Sequence, residues 1–366
     1  MPAEVGQLMI VGFDGVEVTP PLASLLRRLQ PSGVILFARN IKSPAQTWHL
    51  LRECQRCVDA PLFTCVDLEG GTVDRFREVL GVTPAAAEVF AIHDPRLFCR
   101  HGQIIGENCR ALGFNVDFAP VLDLAFGASQ SVMSSRAVSD DPREASAYAR
   151  EFINGLYLAK VLGCGKHFPG LGEGKLDSHH ELPVIEKPFK RLWDEDLVPY
   201  RLLRRSLAMV MVSHAAFPQV TKAKIPASLS KVWITDVLRK RIGYRGLIVS
   251  DDLEMGGVLS AAPVGEAAVS FVRAGGDVCL VCHREDYVLQ VFEALTKAAE
   301  TDKKFSERVE ESIRRVTAFK KKWKKEMKPG KSPTEATIEK LTRRLWEFGE
   351  QVRLGPLSRR EDRRCG

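Results

Sequence analysis

Apolar residues along the chain gather into eight short, nearly continuous runs: LMIVGF at 8–13, GVILFA at 33–38, LFTCVD at 62–67, NVDFAPVLDL at 115–124, GCGKHF at 163–168, AMVMVSHAAF at 208–217, GLIVSDDL at 246–253 and DVCLVC at 277–282. Runs of this length without polar alternation are the mark of strands buried on both faces. Between them the spacing changes to three and four residues, as in PAQTWHLLRECQRCVDA at 44–60 and LSKVWITDVLRKRIG at 229–243, which predicts helices. Eight such alternations within about 300 residues predict an α/β fold, a (β/α)8 barrel of the TIM type. An open doubly wound sheet is the alternative. It is disfavoured because no G-x-G-x-x-G follows the first run.

A barrel demands that its chemistry sit where strands end and the following loops begin. Polar groups fall there. Asp67 and Glu69 follow the third run, Asp123 closes the fourth, and Lys166 and His167 come late in the fifth. His214 comes late in the sixth, and Asp251 and Asp252 in the seventh.

The end of the chain has a different pattern. The stretch KKKWKKEMKPGK at 320–331 reads as a solvated helix end and linker. Ser332, Pro333 and Glu335 then have the form of a capping box with Pro at the first helical position. Ile338, Leu341, Leu345, Phe348 and Val352 follow at helical steps, an amphipathic helix whose simplest use is to dock on the barrel, with a dimer contact as the alternative. The final SRREDRRCG reads as disordered. The expected division is therefore a catalytic barrel over 1–325 and a C-terminal helical extension over 326–366, comprising the basic linker, amphipathic helix and tail. Monomer and dimer are both left open.

Composition narrows the class. The chain is 45% hydrophobic and 27% charged, a globular balance. Its net charge of +7 is misleading, because residues 314–366 hold 17 Lys/Arg against 7 Asp/Glu, a net of +10, which leaves the rest at −3. The body is not expected to bind nucleic acid. An anionic-surface binder working through the tail remains a separate hypothesis. No basic segment with a long apolar run opens the chain and no run is long enough to span a membrane, so a cytoplasmic location is expected. Nine cysteines without framework spacing suit a reducing compartment.

Three stretches carry candidate chemistry. In KHFPGLGEGKLDSHHELP, 166–183, three histidines share a loop with three glycines. Asp177 precedes His179 by two residues, so both project the same way from an extended backbone, and a carboxylate there fixes the tautomer of an imidazole that works as acid and base. His180 is a second candidate. In VSDDLEM, 249–255, paired Asp residues end an apolar strand; a nucleophile or metal ligand is one explanation, a helix cap the other. In VDLEGGTVDRF, 66–76, Asp67 and Arg75 give an acceptor and a forked donor near one Gly-Gly turn. A metal is not expected. The C-x-x-C pairs at 54–57 and 279–282 fall in a helix and a strand, where the strand pair faces opposite sides, and no H-E-x-x-H is present. No cofactor is expected either.

Taken together, GVILFARNI, VDLEGGTVDRF, GFNVDFAPVLDL, SSRAVSDDP, KHFPGLGEGKLDSHHELP, VMVSHAAFP and PASLSKVWITDVLRKRIGYRGLIVSDDLEM resemble, in order, the motifs of glycoside hydrolase family 3 over roughly residues 5–320, specifically its single-domain bacterial β-N-acetylglucosaminidases. The resemblance implies a retaining hydrolase of N-acetylglucosamine-bearing peptidoglycan fragments in cell-wall recycling. It implies Asp251 as nucleophile and His179, oriented by Asp177, as acid/base. Asp67, Arg75, Arg136, Lys166 and His167 match positions that hold the terminal sugar, with Asp123 and His214 as further pocket-side groups. Leu171 stands where many members carry a second His, and Ala137-Val138 where Ser-Phe is usual. The competing activities are phosphorolysis and β-glucosidase action; the non-enzymatic alternative is a sugar-binding module.

Overall fold

The computed structural model describes residues 2–127, 133–174 and 182–362. Asp177, His179 and His180 lie outside the described residues. Eight parallel strands close into a barrel in chain order: β1 (Met9–Val11), β2 (Gly33–Ile35), β3 (Phe63–Val66), β4 (Val116–Asp117), β5 (Leu162–Phe168), β6 (Met209–Val212), β7 (Leu247–Asp252) and β8 (Val278–Val281), with β8 pairing back onto β1 through Met9 and Cys279. Each of the eight apolar runs supplies one strand. The run at 115–124 contributes less ladder than its length suggests: Pro120 has no N–H to give, and the chain leaves the regular pairing after Asp117. Asp123 therefore lies in the loop beyond β4 rather than at the strand end.

Period-two alternation decides which side chains fill the barrel. Ile10, Ile35, Phe63, Cys65, Val116, Leu162, Cys164, Met209, Met211, Leu247, Val249 and Leu280 pack together inside it. Their neighbours Val11, Val34, Val66, Val210, Val212, Ile248 and Val281 face the helical layer. Cys279 joins the outer layer and Cys282 the inner one, so this pair is split across the wall as the strand geometry predicts.

The outer layer contains α1 (Pro20–Leu29), α2 (Pro44–Arg56), α3 (Pro95–Leu112), α4 (Pro142–Leu158), α5 (Phe189–Asp194), α6 (Val198–Leu203), α7 (Val232–Arg241), α8 (Val264–Ala274) and α9 (Glu285–Thr301). Four of these start alike. Thr19, Ser43, Asp94 and Asp141 each accept a backbone N–H from the first turn, with Pro next in the chain. The side-chain oxygen satisfies an orphan donor while Pro presets φ. The helix α7 is π-wound rather than α.

The N-terminal end of the barrel is closed by α10 (Lys303–Lys322), whose Phe319 meets Phe63 edge-on at 5.8 Å. A final helix, α11 (Glu335–Asp362), docks on α3 with Leu341, Leu345, Phe348 and Val352 buried. It begins later than the sequence signature suggests: Thr334, not Ser332, caps it, its Oγ1 accepting from Thr337 N at 3.2 Å. Its last residues, 358–362, belong to the stretch that composition reads as disordered.

Lys320 is the unusual group in the closed end. It is 7% exposed, its Nζ donates to Gln7 Oε1 at 3.2 Å and lies 4.9 Å from the centre of the Phe63 ring. No carboxylate pairs with it among the described residues. Burial pushes its ammonium down to about 7, with the Cys65 side chain opposing only weakly. Between pH 7 and the ordinary lysine value of about 10.4, the unfolded chain binds a proton that the folded one does not, so stability rises with pH through that window. Lys320→Met is expected to raise stability at pH 7 by at least about 1 kcal/mol and to flatten that rise. Urea melts of both proteins at pH 7 and pH 9.5 check this; equal pH dependence in the two would show that Lys320 stays charged.

Candidate active site

The C-terminal ends of β3, β5 and β7 open into one cavity of about 170 Å³. Asp67, Glu69, Arg75, Arg136, Lys166, His167, Asp251 and Asp252 all line it, so most of the residues singled out from the sequence meet in one place. Phe37, Met211, Met255, Leu280 and Cys282 are among its apolar walls.

Each polar group has a structural reason for its position. Asp67 follows β3 directly. The chain then forms a small antiparallel ribbon, Leu68–Gly70 against Val73–Asp74, which presents Glu69 and delivers Arg75. The ribbon is tied down by Asp117 at the end of β4, whose Oδ1 accepts Leu68 N at 2.9 Å. Lys166 and His167 are residues of β5 itself, and Arg136 sits in the turn after Met133.

Glu69 is the hub. Its two oxygens accept a bidentate pair from Arg136 at 2.7 and 2.8 Å, and Lys166 Nζ lies 2.6 Å from Oε1. Lys166 reaches Asp67 as well, at 2.7 Å. Burial alone would raise the Glu69 carboxyl, but the Arg136 and Lys166 charges and their hydrogen bonds outweigh it and hold it far below the usual carboxylate range. Burial would likewise lower Lys166, and Asp67 and Glu69 overcome that to raise it. Glu69, Lys166 and Arg136 are thus all ionised at neutral pH. An ammonium has three donors, and two of those on Lys166 are spent on carboxylates, leaving one for a ligand. Arg75 has its guanidinium 5.5 Å from the Phe37 ring centre, and its Nε has no hydrogen-bond partner among the described residues.

Adjacent Asp251 and Asp252 differ sharply. Asp252 Oδ1 accepts Glu254 N at 3.1 Å, the turn-capping role expected of one of the two. Asp251 Oδ1 accepts Asp252 N at 2.9 Å, and its other oxygen has no protein partner among the described residues. Burial would raise Asp251, but His167, His214 and Lys166 nearby, with the Asp252 N–H, hold it below its ordinary value. The arrangement leaves an ionised carboxylate with a free oxygen at a barrel mouth, which is what a nucleophile requires.

Asp123 and His214, expected on the pocket side, do not line the cavity. Both are buried behind it. Asp123 accepts from His167 Nδ1 at 2.6 Å and from Leu171 N at 2.7 Å, which turns His167 Nε2 away toward Arg136, 3.5 Å distant. His214 donates from Nε2 to the Asp252 carbonyl at 2.9 Å and accepts from Ser228 Oγ at Nδ1, 2.8 Å. Burial lowers its pKa despite the nearby Asp251 and Asp252, and its hydrogen bond fixes the backbone beside Asp251. Both act on the pocket through another residue. Sequence position alone cannot separate a lining group from one behind it.

His283 and Phe37 were not foreseen. Arg39 donates to His283 Nδ1 at 3.0 Å, which leaves the proton on Nε2, itself 3.4 Å from Asp252 Oδ2. Phe37 packs on the same imidazole at 4.9 Å. Each follows a barrel strand by only a few residues, the one signal that would have suggested them. Among the described residues, no group of three or more His, Cys, Asp or Glu is placed to hold a metal ion.

Residues flanking 175–181 meet near this site. Gly174 lines the cavity. Just outside the two ends, buried Lys187 meets Glu173 at 3.3 Å and Glu195 and Asp196 at 2.6 Å each. The cluster ties the two flanks of the segment to one point.

Residues 1–319 match the model of the glycosyl hydrolase family 3 N terminal domain. A beta-hexosaminidase of Bordetella avium is 37% identical over 297 residues, covering 79% of this chain and 84% of that protein. The structure of a glycoside hydrolase family 3 beta-N-acetylglucosaminidase from Paenibacillus sp. superposes with a TM-score of 0.87 at 33% identity, over 95% of this chain and 68% of that one. A beta-N-acetylhexosaminidase from Beutenbergia cavernae superposes with a TM-score of 0.79 at 25% identity, over 87% and 98%. The sequence match over most of the chain, the closed barrel and the cavity of paired charges at its mouth agree: the chain is a glycoside hydrolase and belongs to glycosyl hydrolase family 3.

Proposed function

We propose that the chain is a retaining exo-β-N-acetylglucosaminidase that removes terminal N-acetylglucosamine from peptidoglycan fragments in the cytoplasm. The observation that carries the reading is the pairing, in one cavity, of an ionised Asp251 with a free oxygen and a rigid set of donors and acceptors on Glu69, Asp67, Lys166 and Arg136. A neutral sugar offers hydroxyls that both give and take hydrogen bonds, and a locked ion-pair cluster presents both kinds of partner without needing to reorganise. A single cavity, rather than an open groove, suits attack at a chain end. The names of the relatives support the N-acetylated sugar.

In this reading the Asp251 oxygen attacks the anomeric carbon as the glycosidic bond breaks, forming a glycosyl ester. His179, oriented by Asp177, gives its proton to the departing oxygen, then takes one from the water that opens the ester. Asp177 and His179 follow Gly174 by three and five residues, at most about 11 and 18 Å of extended chain, which bounds how far the proposed dyad can be from the cavity that Gly174 lines.

Asp251→Ala is expected to lower kcat for a nitrophenyl N-acetyl-β-glucosaminide by roughly 1,000-fold or more, and Asp252→Ala by about tenfold or less. The reverse order would move the nucleophile to Asp252. Sugar binding without turnover by wild type would make the chain a binding module, and turnover that requires added phosphate would make it a phosphorylase.

The electrostatics give a pH expectation. Since Asp251 is held below the ordinary carboxylate value of about 3.9, it stays ionised above that pH, and the acid limb of kcat/KM does not come from Asp251 in the range above pH 4. Lys166→Met removes one of the charges that lower it. The Asp251 limb, which lies below about pH 4 in wild type, is expected to move toward neutral pH in that variant, along with a raised KM. A pH–rate profile in which KM rises and the limb stays fixed would show that Lys166 binds substrate without tuning Asp251.

A further inference from the structure

The family match ends at residue 319, yet a helix well beyond it, α11, is packed against the loop that builds the pocket. We propose that α11 is a positioning element of the active site: through Leu345 and Phe348 it holds the β3 loop that carries Glu69 and Arg75. The proposal rests on the reading of those two residues as groups that hold the sugar.

Two lines of contact carry it. Phe348 is fully buried and stacks on the His101 imidazole, with ring centres 5.7 Å apart and planes at 26°. His101 is itself fully buried and held by the Tyr148 hydroxyl at 2.8 Å from Nδ1. Burial pushes it down to about 3, so it packs as a neutral ring. Its Nε2 stands 3.3 Å from where a side chain on Gly70 would begin, and the Pro84 carbonyl oxygen is 2.2 Å from that point. Gly70, at φ +86°, is the residue next to Glu69, and only glycine fits there. The backbone that aims Glu69 is therefore backed by His101, and His101 by Phe348.

The second line reaches Arg75. The turn Arg77–Leu80 follows Arg75 and ends at Gly81, against which Leu345 packs, 3.9 Å from the position a Cβ would take. Asp74 closes the loop on itself by accepting Phe76 N at 2.9 Å and Thr83 N at 2.8 Å, and Gly71 N donates to the Thr83 carbonyl at 2.9 Å. These bonds tie the loop into one unit, and α11 covers its outer side.

Two polar contacts of α11 are made with α3. Arg344 pairs with Glu107 on α3, and Arg100 on α3 donates to Gln351 at 2.9 Å. The helix is clamped to α3 by charge and leans on the pocket loop with apolar side chains. A bidentate pair such as Arg136–Glu69 tolerates little displacement, so a shift of the loop is felt in the cavity.

Phe348→Ala and Leu345→Ala in the full chain test this. Far-UV circular dichroism melts report the fold, hydrogen exchange reports the Gly71, Phe76 and Thr83 amides, and kinetics are read on the nitrophenyl N-acetyl-β-glucosaminide. The expected result is a retained cooperative melt, exchange about tenfold faster at those three amides, and KM raised about fivefold with kcat within about twofold of wild type. Phe348→Leu is expected to restore most of the loss, and carries the test with Leu345→Ala should Phe348→Ala not fold. A lowered melting temperature with unchanged exchange and unchanged KM overturns the proposal and leaves α11 a purely stabilising helix. Arg75→Ala separates the two readings. If it raises KM while the faster-exchanging Phe348→Ala does not, the positioning role is wrong. If KM is unchanged in both while exchange is faster, the loop is braced as proposed and the sugar-holding reading of the pocket is at fault.

Discussion

The Glu69 carboxylate, almost fully buried and shared between the Arg136 guanidinium and the Lys166 ammonium, joins three segments that are far apart in the chain. A buried charge left without partners costs several kcal/mol, so each of these groups constrains the others. Lys166 then fixes Asp67, Arg136 stands beside His167, and Asp123 holds His167 from behind. The polar wall of the cavity is thereby set before any ligand arrives. Its positions depend on pairing within the protein, which is why a site rich in flexible side chains can be rigid.

Much of this was legible in the chain. The eight strands announced themselves because parallel strands covered on both faces must be apolar at nearly every position, and the barrel mouth followed from where polar residues interrupt the runs. What burial decides was not legible. Asp123 and His214 carry the same residue types as pocket groups, and only the packed structure shows that one faces His167 and the other the Asp252 backbone. His283 and Phe37 were passed over because their importance comes from meeting each other over the end of β1, which lies between their two strands, through contacts between distant parts of the chain. The cap of α11 slipped from Ser332 to Thr334 because two eligible hydroxyls lie near the same helix start, and local pattern does not choose between them.

Opposite ends of the barrel handle charge in opposite ways. At the mouth, cations and carboxylates neutralise one another and stay ionised. At the closed end, Lys320 is buried with an amide oxygen and an aromatic face for company, and burial favours its neutral form. The same elements carry both solutions: strand β3 has Phe63 against Lys320 at one end and Asp67 against Lys166 just past the other.

The packing of Phe63 and Phe319 at that closed end, beneath barrel layers filled by Phe118, Met209 and Leu247, also makes the cavity a cul-de-sac. Traffic through it is last in, first out. Under the proposed exo reading, the sugar that sits deepest could not depart until the portion nearer solvent had gone, so it and the next incoming chain end would compete for the same entrance among the described residues. In that reading the free monosaccharide would then compete with substrate by architecture, and the turnover ceiling would be tied to how quickly the innermost product clears the entrance.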